Sequence, residues 1–165
     1  MKIATWNVNS LKVRLGQVLD WIDTHRPDTF VLQEIKQVTE DFPTAAFEEK
    51  GYRSLASGQK TYNGVAVIAR DTINDPVTDF PGFDDPQRRI LAATIGGVRL
   101  VNLYVVNGSE VGSEKFDYKL SWLDAVTDWL AGEIQAHRNL VVVGDFNIAP
   151  DDRDVYDPDD WREKI

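Results

Sequence analysis

Cysteine is absent from the 165 residues, and histidine occurs only as His25 and His137. The first absence excludes a disulfide framework and any thiolate-held metal. The second excludes a histidine-rich metal centre. No apolar run reaches membrane-spanning length, and the first residues lead straight into a strand-like segment rather than a secretory leader. Together these absences point to a cytoplasmic protein with no membrane partner. Positive charge is also in short supply: the net charge is -9, which by itself argues against a polyanionic partner. The acids are unevenly spread, however. Asp151, Asp152, Asp154, Asp157, Asp159 and Asp160 crowd the end of the chain, so the body before them lies nearer balance and has room for a locally basic surface.

What is present fits an ordinary globular chain. At 42% hydrophobic and 27% charged residues, a length of 165 suits one domain, residues 1–165, with a substantial core. Residues 1–8 read as a strand. Ser10 is a candidate cap for a helix presenting Leu11, Leu15, Val18, Leu19 and Ile22 on one face, and Pro27 ends it. A short strand follows over 29–33, and a short helix runs from Pro43 to before Gly51. From Tyr52 the period changes to two. Segments 52–56, 64–70, 89–95 and 98–106 read as consecutive strands with short links such as Gly96-Gly97, expected to be antiparallel neighbours. A long helix over 114–136, capped by Ser113, presents Phe116, Leu120, Leu123, Leu130 and Ile134. The chain then enters Leu140-Val141-Val142-Val143-Gly144, whose unbroken apolar run suits a strand covered on both faces. The expected fold class is α/β, a layered arrangement with a mixed sheet.

Polar residues recur where these strands end. Asn7 ends the first and Glu34 the second; Tyr104 and Asn107 follow a third, and Asp145 and Asn147 follow the last. Singly each has an ordinary structural reading: a loop amide, a solvated charge, an interface aromatic, a hairpin turn, an Asx-turn. Recurrence at strand ends far apart in sequence points instead to one shared rim, where ligands of α/β proteins bind. Two carboxylates, three amides and a phenol, without thiol or imidazole, suit a hard cation such as Mg²⁺, with Mn²⁺ as substitute. Mg²⁺ in turn suits phosphate esters. On residue type and position Glu34 is the candidate metal ligand. Asp145 is the candidate general base on water, with Asn147 orienting it or holding a phosphoryl oxygen.

Longer motifs carry a family resemblance. Trp6-Asn7-Val8-Asn9, Leu32-Gln33-Glu34-Ile35-Lys36 and Gly144-Asp145-Phe146-Asn147 resemble the endonuclease/exonuclease/phosphatase superfamily in order and spacing. Gly58-Gln59-Lys60-Thr61-Tyr62-Asn63-Gly64, Gly112-Ser113-Glu114-Lys115-Phe116-Asp117-Tyr118-Lys119 and Arg153-Asp154-Val155-Tyr156-Asp157-Pro158 narrow it to the exonuclease III type. The resemblance implies a Mg²⁺-dependent DNA repair nuclease that acts on duplex DNA at abasic sites and 3′ ends. By the same resemblance Asn7 and Glu34 match the metal site, Tyr104 the active-site tyrosine, and Asp145 with Asn147 the acid and amide around the attacked phosphate. Gln59, Lys60, Tyr62, Asn63 and Gly64 match a loop against the DNA backbone, to which Asn107 is added as a further candidate DNA contact. Amide, ammonium and a glycine-backed turn are in themselves phosphate-contacting types.

Two departures stand out. Val106 occupies a position that is usually proline in the family, which loosens the loop after Tyr104. The late Asp and Ser-Asp-His motifs of the family have no counterpart, since His137 precedes Asp145. The chain therefore reads as the amino-terminal part of a longer domain, with the second sheet of the family sandwich largely missing and a carboxyl-terminal half or partner chain implied. Two other classes stay open at this point. One is a half-length metal- or DNA-binding module without turnover; the other is a phosphoesterase on a substrate other than DNA.

Overall fold

The computed structural model describes residues 1–79 and 82–161. In chain order its elements are β1 (Ile3–Asn7), α1 (Leu11–His25), β2 (Thr29–Gln33), α2 (Thr44–Glu48), β3 (Arg53–Ser57), β4 (Val65–Ala69), β5 (Asn74–Val77), β6 (Ile90–Ile95), β7 (Val98–Tyr104), α3 (Glu114–Ala136), β8 (Leu140–Asp145) and α4 (Pro158–Trp161). The strands form two four-stranded sheets, ordered β1-β2-β4-β3 and β5-β6-β7-β8. Each sheet is mixed. β1 lies parallel to β2 and β7 parallel to β8, and the remaining pairs are antiparallel.

The two-residue period of the strands sorts their side chains into layers. In β2, Val31 faces the other sheet whereas Phe30 and Leu32 face α1; in β4, Val65, Val67 and Ala69 point inward between the sheets, and Ala66 and Ile68 outward. Leu91, Ile95 and Leu100 answer from the second sheet, while Ile90, Ala92, Val101 and Leu103 meet α3. The result is helix, sheet, sheet, helix. One polar device crosses the middle. Gln33 Nε2 donates to Asn102 Oδ1 at 2.7 Å, and Asn102 Nδ2 donates to the carbonyls of Leu32 and Ala66 at 3.0 and 3.1 Å.

The mixed α/β sandwich expected from sequence is thus present, but the second sheet is not largely missing: all four strands β5 to β8 build it. Segments 52–56 and 64–70 pair antiparallel as β3 and β4, and 89–95 and 98–106 as β6 and β7, but the two pairs lie in different sheets. β3 and β4 extend the first sheet, and the chain then crosses to start the second at β5. That strand carries Pro76 within a short, exposed Asn-Asp-Pro-Val edge, so it gives no alternating apolar signal. Side chains of β8 reach both neighbouring cores, Val142 on one side and Val141 and Val143 on the other. Each residue of β8 nevertheless keeps partial exposure, because among the described residues β8 pairs only with β7.

Local expectations fare unevenly. Ser113 caps α3 as read, its side chain accepting from Phe116 N–H at 3.2 Å. Ser10 precedes α1 but makes no side-chain cap; its own N–H instead donates to the Glu34 carbonyl at 2.7 Å. On α3 the buried stripe is Lys119, Trp122 and Val126, whereas Leu120 and Ile134 are exposed. A lysine inside that stripe displaced the apolar periodicity. No helix among the described residues is long and apolar enough to cross a membrane.

Candidate active site

The parallel pairs β1–β2 and β7–β8 end on one rim, and β1 of the first sheet lies beside β8 of the second. Four side chains from these ends meet there. Asn7 Nδ2 donates to Glu34 Oε1 at 2.8 Å and to Asp145 Oδ2 at 2.7 Å, bridging the two carboxylates. The Tyr104 hydroxyl donates to Glu34 Oε1 at 2.9 Å. Asn147 braces Asp145 through its backbone, N–H to Oδ1 at 3.0 Å, and its side-chain nitrogen donates to the Val105 carbonyl at 2.9 Å. Asn107 reaches the group only through Asn147, Nδ2 to Oδ1 at 3.4 Å.

The backbone is shaped to permit this. Glu34 and Asn147 both hold left-handed conformations, φ 53° and 47°, uncommon outside glycine and frequent at functional rims. Gly144 lets β8 press against β7: a Cβ there would lie 1.9 Å from the Leu103 carbonyl oxygen, and φ is 147°. Without that approach the next residue, Asp145, could not reach Asn7.

Electrostatics separate the roles. Burial opposes the charge of Glu34, yet bonds from Asn7, Lys36 and Tyr104 together hold its carboxyl below the usual range. It is therefore ionised at neutral pH. Burial, the bond to Glu34 and that carboxylate's charge push the Tyr104 phenol up to about 12, so it stays protonated and serves as a donor. Glu34 Oε2 already faces a cation, Lys36 Nζ at 2.9 Å. Two adjoining carboxylates, one of them holding an ammonium, form a hard oxygen pair that suits a divalent cation. Asn7 spaces the two carboxylates with its nitrogen, while its oxygen accepts from the Asn9 N–H at 3.0 Å and keeps a second lone pair. Among the described residues no group of three His, Cys, Asp or Glu side chains gathers to hold a metal, here or elsewhere, so the rim offers a pair of carboxylates.

The loop over 59–64 is stitched to the rim, because Ile35 and Lys36 N–H groups donate to the Gly64 and Asn63 carbonyls at 3.1 and 3.0 Å. Its residues divide. Lys60 and Tyr62 are exposed, Tyr62 to 66%, and present their side chains to solvent. Asn63 and Gly64 are buried and shape the loop; Asn63 donates to Gln59 and Gln87 at 3.3 and 3.0 Å. Sequence reasoning passed over three neighbours of the site. Lys119, 3% exposed, donates to the Asn147 carbonyl at 2.6 Å. Arg89 stacks on Tyr104, and Lys36 pairs with Glu34.

The Endonuclease/Exonuclease/phosphatase family profile matches residues 4–164. The chain belongs to that family. Exodeoxyribonuclease III of Haemophilus influenzae is 31% identical over 173 residues, covering 99% of this chain and 64% of that protein. The DNA repair nuclease APEX1 of Danio rerio is 29% identical, covering 96% and 52%. Among solved structures, a 3′-5′ exonuclease from Neisseria meningitidis superposes with a TM-score of 0.97 at 51% identity, over 100% of this chain and 65% of that one. An AP endonuclease from Archaeoglobus fulgidus gives 0.95 at 36%, over 99% and 64%. The chain thus spans between about half and two thirds of the length of these family relatives.

Proposed function

We propose that this chain is the amino-terminal part of a single-domain, divalent-metal-dependent DNA repair nuclease of the exonuclease III type, acting in the cytoplasm on duplex DNA at abasic sites and 3′ ends. The observation that carries this reading is the meeting of Asn7, Glu34, Tyr104 and Asp145 at adjoining strand ends. The names of the similar proteins, which include an exodeoxyribonuclease, an AP endonuclease and a Neisseria 3′ phosphatase bound to product DNA, support a DNA phosphoester as substrate.

In the reaction, water adds to phosphorus as the P–O3′ bond breaks, and the departing 3′ oxygen takes a proton from solvent, leaving a 5′-phosphate and a 3′-hydroxyl. Asp145 takes the water proton, with Asn147 N–H keeping its other oxygen fixed. The second amide hydrogen of Asn147 faces a phosphoryl oxygen. Tyr104 keeps its proton and holds Glu34 in place. A Mg²⁺ ion at Glu34, with Asn7 setting the gap to Asp145, would neutralise phosphate charge and polarise the P–O bond, and Mn²⁺ would substitute. Lys60 and Tyr62 contact the DNA backbone from the loop that Gln59, Asn63 and Gly64 shape, and Asn107 is a further contact.

The test is incubation of the intact protein, this chain together with the carboxyl-terminal part that the reading implies, with a duplex carrying one abasic site. Nicking 5′ to that site in Mg²⁺, abolished by EDTA, is the expected result. Binding of the duplex without nicking would favour a binding module instead, and hydrolysis of only small phosphate esters would favour a different substrate.

A further inference from the structure

Arg89 lies immediately before β6 and is buried to 8% exposure. Among the described residues no carboxylate ion-pairs with it. A buried guanidinium without a carboxylate is costly unless its donors are met in another way. Here they are met by neutral partners, the Tyr118 hydroxyl beside it and two residues that lead to the site. Nε and one terminal nitrogen donate to Gln87 Oε1 at 3.1 and 2.8 Å, and the other terminal nitrogen donates to the Tyr104 carbonyl at 3.2 Å. The guanidinium carbon also stands 4.7 Å from the centroid of the Tyr104 ring. Tyr104 is therefore held by its ring face and its carbonyl, while its hydroxyl reaches Glu34. Gln87 continues the chain outward, because the same Oε1 accepts from Asn63 Nδ2 at 3.0 Å, and Asn63 shapes the loop that carries Lys60 and Tyr62.

We propose that Arg89 is a positioning residue that holds the Tyr104 phenol on Glu34 and, through Gln87 and Asn63, ties it to the loop over 59–64. The inference rests on the nuclease reading above and adds to it: pressure of a DNA backbone on the loop is passed to the phenol at the reacting end. A guanidinium suits this task because its planar fork meets Gln87 and the Tyr104 carbonyl while lying on the ring. A lysine could supply the charge but not the fork.

Steady-state nicking of an abasic-site duplex in Mg²⁺ by the wild-type, Arg89→Gln, Arg89→Lys, Tyr104→Phe and Arg89→Gln/Tyr104→Phe proteins tests it. Arg89→Gln is expected to lower kcat about tenfold while KM moves less than about threefold. On the Tyr104→Phe background, where the phenol is already gone, the same change is expected to cost almost nothing further. Losses that multiply in the double variant overturn the proposal, as does full kcat in Arg89→Lys. If the intact wild-type protein binds the duplex without nicking it, the nuclease reading fails and NMR decides the positioning. Arg89→Gln must then shift both the Tyr104 ring signals and the Asn63 side-chain amide; an unmoved Tyr104 overturns the inference.

Discussion

Glu34 accepts from three partners, Asn7, Lys36 and Tyr104, and its ionised form is what they stabilise. Because its carboxyl lies below the ordinary value of 4.5, it contributes stability above that pH and loses it as the pH falls through the lowered folded value. The melting temperature of the wild type should therefore exceed that of Glu34→Gln most clearly near neutrality, and the gap should close in acid. The same variant should lose abasic-site nicking by at least about a hundredfold, the scale of one charge-stabilising group removed from a reacting centre. Tyr104 behaves in the opposite sense. With its phenol raised from 10.0 to about 12, it adds stability that is complete below 10 and is lost as the pH climbs through about 12. A melting-temperature advantage of wild type over Tyr104→Phe should shrink across that alkaline interval. At this scale the sequence was informative about the acceptors and donors that end strands. It was silent about Arg89 and Lys119, since a cation inside a core face looks the same in sequence as one in solvent.

Elements bring those residues to one rim, and the contact between β7 and β8 is the tightest fit among them. A methyl group at residue 144 would collide with the Leu103 backbone, which cannot give way as a flexible side chain could. Gly144→Ala should destabilise the protein by about 3 kcal/mol in urea unfolding, from strain at φ 147° together with the lost approach. Lys119→Met should leave α3 helical but free the Asn147 turn, seen as faster amide exchange at residues 146–148 with little change across β6. Most elements could be read from periodicity, because β2 and β4 are buried along their whole length and α1 sets Leu11, Val18 and Ile22 inward at helical spacing. β5 could not, having neither alternation nor burial. The inward face of α3 was misjudged because its stripe begins on a lysine.

Across the whole molecule the two sheets are joined mainly by aliphatic packing, with Asn102 and Gln33 as a polar bolt through the centre. Asn102→Leu removes the donor to two buried carbonyls and the acceptor for Gln33, and should cost about 3 kcal/mol in denaturant unfolding. A Gln33→Leu/Asn102→Leu pair should recover part of that loss, as the orphaned Gln33 amide goes with it. Neither residue signalled its partner in sequence, since 69 positions separate them.

β8 carries Asp145 at its end and has a backbone partner on only one flank among the described residues. Its outer row of amides and carbonyls is a template, open to any extended segment able to lie alongside. A segment laid parallel there would finish next to Asp145. Whatever side chain stands at its carboxyl end would enter the rim as a new wall of the cleft, so this sheet can be widened and the site enlarged by the same backbone pairing.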